Sequence, residues 1–245
     1  AASDIASVLS KMVGYDPKDS TSVDLPAEDF TRGLGKDLAG LRIGVPRSWF
    51  SDRLNEEVRV SIDKVIAFYR DHGAVIVDMD LPTARLGVPV YYVVACAEAS
   101  SNLSRYDRAK DCKTMDELIR RSRNEGLGAE PKRRIMIGTY VLSHGYYDAY
   151  YLKAQKVRRL IADEFRSAFA SVDAIISPVA PGVAYNFGEK SDPVSAYLGD
   201  LYTVPASLAG LPCMSVPCGF ASNGRPIGVQ LTAAPFQEAR LLQLA

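Results

Sequence analysis

The chain has 245 residues, 47% hydrophobic and 24% charged, which is the balance of a globular protein able to bury a core without disulfide or metal staples. Its 29 Lys and Arg cancel its 29 Asp and Glu, so the basic excess of a dedicated nucleic-acid binder is excluded. No apolar run of about 18 residues is present, so no transmembrane helix is expected. Only two histidines, His72 and His144, accompany Cys96, Cys112, Cys213 and Cys218. The Cys213–Cys218 spacing is not that of a zinc ribbon, and the expectation is free thiols in a reducing cytosol. The first residue is not Met and the opening residues already read as helix, which suggests a fragment or a cleaved product.

Residues 1–13 carry Ile5, Val8, Leu9 and Met12 at helical spacing, with Ser3 or Asp4 as the expected N-cap. Residues 14–36 are polar and hold Pro17 and Pro26, the composition of a long surface connection. Residues 41–45 read as a strand stopped by Pro46. Residues 57–72 follow as an amphipathic helix with Val58, Ile62, Val65, Ile66 and Tyr69 on one face, ended by Gly73. Residues 74–77 read as a second strand, and strand, helix, strand at this spacing predicts a parallel pair.

The middle of the chain reads as helical. Residues 89–103 are apolar on several sides. Thr114 and Glu117 have capping-box spacing. Residues 132–143 continue helical, and residues 146–170 read as the strongest helix, with Val157, Ile161, Phe165 and Phe169 in register. Residues 173–176 read as a third strand. A short helix is expected to end at Gly210. Residues 213–220 and 227–231 read as strands of a hairpin around Asn223-Gly224. The order predicts an α/β fold with a mixed sheet, as one domain portion over residues 1–245.

Motifs for catalysis are scarce. Neither a Gly-x-Ser-x-Gly elbow nor a Walker loop occurs. Ser7 and Lys11 share a helix face, a common coincidence on surface helices, and His144 is a lone histidine near a helix start. Ligand recognition is better supplied. Lys132-Arg133-Arg134 follows Pro131, and an arginine there can aim its planar fork at a carboxylate. Asp200 precedes Leu201-Tyr202-Thr203, where it reads as a helix cap or an ammonium partner. Tyr91 and Tyr92 read as core packing or as a phenol at a pocket edge. Together these residues could hold an α-amino acid.

Several strings resemble the amidase-signature family. Residues 202–212 are similar to its Asn-x-Ala-Gly-x-Pro segment, with Ser207 in place of Asn, and residues 215–220 and 224–231 resemble its terminal hairpin. Residues 14–22, 99–107, 138–143 and 145–151 narrow the resemblance to the A subunits of the glutamyl-tRNA(Gln)/aspartyl-tRNA(Asn) amidotransferases. The likeness runs the length of the chain. It implies part of an α/β/α sandwich and a glutamine-hydrolysing subunit that passes ammonia to a partner.

In that reading the amidotransferase B and C subunits are partners in a cytoplasmic heterotrimer. Mischarged tRNA is engaged through the complex, and ATP and Mg are used by the B subunit, with no cofactor in this chain. The resemblance assigns the glutamine carboxylate to Arg134 in preference to Arg133, the ammonium to Asp200, and a pocket wall to Tyr91 in preference to Tyr92. The family's Ser–cis-Ser–Lys triad precedes the segment seen here, so the isolated chain is expected to be inactive and, with a sheet edge exposed, prone to self-association. After Asp107 the family usually continues Gly-Val/Ile-Arg-Tyr-Gly, whereas here Arg108-Ala109-Lys110 follows directly, a shortened loop. The alternatives are a general amidase or allophanate-type hydrolase, and a non-catalytic binding or scaffold domain.

Overall fold

The computed structural model describes residues 1–106, 110–188 and 198–245. The shortened segment at Asp107 to Ala109 lies outside the described residues.

Five strands form one mixed sheet in the order β2-β1-β3-β5-β4. They are β1 (Arg42–Pro46), β2 (Val75–Met79), β3 (Ala174–Pro178), β4 (Cys213–Phe220) and β5 (Pro226–Thr232). β1 pairs parallel with β2, from Arg42 with Val75 to Pro46 with Met79, and parallel with β3. β5 runs antiparallel to both β3 and β4. The expected parallel pair, the hairpin and the mixed sheet are therefore present. β1 ends at Pro46, which is counted as its last residue and has no N–H to give to the ladder.

The helices are α1 (Ala2–Met12), α2 (Glu56–Asp71), α3 (Gly87–Leu103), α4 (Met115–Gly126), α5 (Ala129–Val141), α6 (Lys153–Ala168), α7 (Val204–Ala209) and α8 (Glu238–Leu244). They cover both faces of the sheet, and β3 shows how. Its side chains alternate, so Ala174 and Ile176 join a core with Val58, Ile62 and Ile66 of α2, while Ile175 joins a second core with Ile161 and Phe165 of α6 and Val90 and Val94 of α3. This alternation builds an α/β/α sandwich. Arg42 and Asp173 tie β1 to the start of β3, with Arg42 Nε and Nη2 donating to the carboxylate at 3.3 and 3.1 Å.

Several local expectations change. α1 begins at Ala2, so Ser3 and Asp4 lie inside its first turn instead of capping it. A carboxylate there still faces the positive end of the helix dipole. α5 begins at Ala129, so Pro131 sits within its first turn and Lys132 does not open it. The helix expected over 146–170 is divided. Tyr147–Leu152 forms a wider π-helical turn before α6, and this turn spreads a tyrosine cluster, with Tyr140 and Tyr146 ring centroids 4.4 Å apart and Tyr147 and Tyr151 5.2 Å apart.

The polar stretch contains a 3-10 turn, Phe30–Gly33, that buries Phe30 against Ala6 of α1 and Leu242 of α8. Local periodicity did not indicate that turn, nor α8. The Thr114 cap is present. Thr114 Oγ1 accepts from Glu117 N at 3.1 Å, and Glu117 reaches back to Lys113 N at 3.0 Å.

Tyr69 on α2 is buried, and its hydroxyl donates to the Leu244 carbonyl at 2.6 Å, which pins α8 to the sheet layer. Burial pushes its pKa up to about 12. An unfolded tyrosine ionises near 10, so the folded state holds its proton longer and stability falls as pH rises from about 10 to about 12. Tyr69→Phe is expected to lower stability by about 1 kcal/mol at neutral pH. It should also flatten the decline of the urea midpoint across that alkaline window. Tyr202, likewise raised by burial, remains in both proteins and keeps part of the slope.

Candidate functional site

The site is built on the crossing of α3 and α5. At the crossing Gly138 lies against the backbone of α3, and a Cβ there would fall 1.9 Å from the Cys96 carbonyl oxygen. Ser100 and Thr139 hydroxyls bond at 3.0 Å beside it. One turn before Gly138, on the same side of α5, stands Arg134, and α3 presents Tyr91 and Tyr92 to it.

Arg134 Nη1 donates to Tyr91 Oη at 2.9 Å, and Nε donates to Glu130 Oε1 at 2.9 Å. The guanidinium carbon lies 6.0 and 5.9 Å from the Tyr91 and Tyr92 ring centroids, within cation–π range. The two rings meet edge to face with centroids 5.0 Å apart. The side chain of Arg134 is 31% exposed, so the group is partly desolvated yet open on one side. Bonding to Glu130 first, and to Tyr91 second, holds its pKa above the ordinary arginine range. The Glu130 carboxylate is held below its usual range chiefly by the Arg134 hydrogen bond. Among the described residues Nη2 of Arg134 has no partner. That end of the fork can receive a carboxylate.

Arg133 pairs with the second oxygen of Glu130. The structure thus gathers Tyr91, Tyr92 and Glu130 around Arg134, and Glu130 brings in Arg133. Sequence reasoning missed Glu130, although its spacing of three and four residues before the two arginines is the helical ion-pair signal.

Asp200 stands apart from this cluster. It ends a 3-10 turn, Leu198–Asp200, and is exposed. It does not cap α7, which begins at Val204. Its position is set by its neighbour. Tyr202 is buried, its hydroxyl donates to the Trp49 carbonyl at 3.0 Å, and its own carbonyl accepts from Gln230 Nε2 at 3.0 Å. α7 then packs on the start of α3, where Gly87 meets the Pro205 ring. Asp200 and the Arg134 cluster are therefore both referred to α3, without a direct bond between them. Beside Leu201 and Tyr202 a cleft of about 230 Å³ opens, lined also by Trp49, Leu81 and Pro82, at the carboxyl ends of parallel strands β1 and β2.

The remaining candidates offer little chemistry. Ser7 gives its hydroxyl to the Ser3 carbonyl at 3.0 Å and is not bonded to Lys11, and His144 is exposed. All four cysteines are free, and burial pushes the Cys96, Cys213 and Cys218 thiols up, away from a reactive thiolate. Among the described residues no group of three or more His, Cys, Asp or Glu is placed to hold a metal, and no helix is long and apolar enough to cross a membrane.

The fold is a two-sided α/β sandwich carrying an arginine fork beside two tyrosines, and residues 1–242 match the amidase family model: the chain belongs to the amidase family. Among its relatives, the A subunit of glutamyl-tRNA(Gln) amidotransferase from Thiobacillus denitrificans is 54% identical over 252 residues, covering 100% of this chain and 52% of the relative. The same-named protein of Chromobacterium violaceum is 52% identical over 251 residues, again covering 100% of this chain and 52% of the relative. The crystal structure of the Thermotoga maritima protein of that name superposes with a TM-score of 0.79 at 36% identity, over 99% of this chain and 49% of that one. The chain spans about half the length of the curated relatives it matches.

Proposed function

We propose that this chain forms the substrate-orienting half of the ammonia-supplying A subunit of a tRNA-dependent amidotransferase, the enzyme that converts Glu-tRNA(Gln) to Gln-tRNA(Gln). The observation that carries the reading is Arg134. It is a guanidinium fixed by Glu130 and Tyr91 with Nη2 open among the described residues, the geometry for grasping the α-carboxylate of glutamine. Asp200 is assigned to the α-ammonium, and Tyr91 and Tyr92 to the wall of the pocket beside Arg134. The likeness to proteins named as A subunits, above 50% identity, supports the same substrate.

In this reading the residues that break the amide, a Ser–cis-Ser–Lys triad, lie outside these 245 residues. A serine attacks the side-chain amide carbonyl of glutamine, lysine acting through the bridging serine takes its proton, and ammonia leaves. Water then releases glutamate from the acyl-enzyme. This chain contributes orientation, which holds the amide against the nucleophile and lowers the entropic part of the barrier. Ammonia passes to the B subunit, where ATP and Mg activate the glutamate on the tRNA. The C subunit completes a cytoplasmic heterotrimer, and tRNA is engaged through the complex.

The test is ammonia release by the complete protein in its complex, with glutamine and acetamide compared. Glutamine is expected to be preferred by at least about two orders of magnitude in kcat/KM, because acetamide lacks both groups that Arg134 and Asp200 bind. Equal use of the two amides would favour a general amidase. No release from either would leave a binding or scaffold domain.

A further inference from the structure

Glu130 bonds both arginines of the cluster and, as a carboxylate, cannot itself hold the carboxylate of a substrate. We propose that Glu130 is a positioning residue that locks the Arg134 fork against Tyr91 and trims the charge of the cluster to that of a single bound carboxylate. The inference rests on the reading of Arg134 as the carboxylate anchor.

Three observations carry it. Glu130 Oε1 accepts from Arg134 Nε at 2.9 Å, so it occupies the side of the guanidinium that would otherwise compete to bind substrate. Its second oxygen engages Arg133, so one carboxylate holds both arginines of the pair. Tyr91 accepts from Nη1 at 2.9 Å on the far side, so the guanidinium is clamped between an acid on its own helix and a phenol on the neighbouring one.

An arginine loses several rotamers on being fixed, and a clamp present before substrate arrives removes that cost from binding. With two edges taken, Nη2 and the second N–H of Nη1 are what a ligand meets. The Tyr91 hydroxyl, accepting from Arg134, turns its own proton outward as a further donor. The charges of Arg133, Arg134 and Glu130 sum to one positive charge, the complement of one carboxylate. Without Glu130 the cluster carries two, and its fork is free to swing.

The test compares Glu130→Gln, Glu130→Asp, Arg134→Ala and the Glu130→Gln/Arg134→Ala double variant in the complete protein within its complex, with steady-state ammonia release from glutamine and from glutamine amidated at its α-carboxyl. Glu130→Gln is expected to raise the glutamine KM about tenfold with kcat within twofold. It should also shrink the preference for glutamine over its α-amide about tenfold, and Glu130→Asp should recover part of both. Because Glu130 acts through Arg134, the double variant is expected to be no worse than Arg134→Ala alone. If Arg134→Ala raises KM while Glu130→Gln leaves KM unchanged, or if the two losses simply add, the positioning role is overturned and the carboxylate anchor stands. If Arg134→Ala itself leaves KM unchanged, the anchor falls and this role falls with it.

Discussion

Arg134→Ala is expected to lower kcat/KM for glutamine roughly 30- to 150-fold, the loss of about 2–3 kcal/mol that a hydrogen bond to a charged group supplies. The loss should fall mainly on KM. The α-carboxylate is distant from the bond that breaks, so its contact is made alike in the ground and transition states. Removing the side chain also leaves the Glu130 carboxylate and the Tyr91 hydroxyl, both 2.9 Å from it, without their shared cation. Arg134→Lys should recover only a fraction, since an ammonium restores charge but cannot bond Glu130, Tyr91 and substrate from one plane. Steady-state kinetics on the intact complex check this, and an unchanged KM would remove Arg134 from the substrate site.

Gly138→Ala carries the largest expected effect on stability. In an exposed helix this change ordinarily stabilises by about 0.5–1 kcal/mol. Here the sign reverses. The new methyl would lie 1.9 Å from the Cys96 carbonyl oxygen, 2.6 Å from the Cys96 carbonyl carbon and 2.7 Å from Ser100 Cβ. Two of these are backbone atoms, which cannot rotate aside, so α3 and α5 must separate. The expected cost is about 3 kcal/mol, at the upper end for overpacking. Because α3 carries Tyr91 and α5 carries Arg134, glutamine turnover should fall with it. Denaturant midpoints compared with Met136→Ala, on the exposed face of the same helix, check this. An equal midpoint in the two variants would mean the helices do not cross at Gly138.

Much of the architecture was legible because it depends on short-range pattern. The apolar spacing of α2, Val58 to Tyr69, places one face on the sheet, and that face is buried. Strands β1 and β2 joined by α2 are parallel as chain connectivity requires. The hairpin between β4 and β5 follows from Asn223-Gly224, where Gly224 takes φ of +79° and Asn223 Oδ1 accepts from Arg225 N. The candidate binding residues were legible by type. A fork, an acid and two phenols are chemically conspicuous, although their assignment to glutamine came from resemblance and not from spacing.

What the sequence by itself determined, then, is the α/β class, the alternation of elements and the set of polar side chains offered as the candidate site. Only the tertiary structure decided how they meet. The Arg134–Tyr91 bond joins residues 43 apart in the chain, and no local period records that distance. Nor could the sequence foresee that the helix after Gly145 opens into a π turn, because the helical register of Phe165 and Ile161 says nothing about the tyrosines before them. Phe30 looked like part of a solvated connection until α1 and α8 closed over it. Asp200 looked like a cap because its local surroundings favour one, yet its place is set by Tyr202, anchored to Trp49 and Gln230 from distant parts of the chain. Local propensity acts over a few residues, whereas packing and buried hydrogen bonds select among the arrangements that propensity allows.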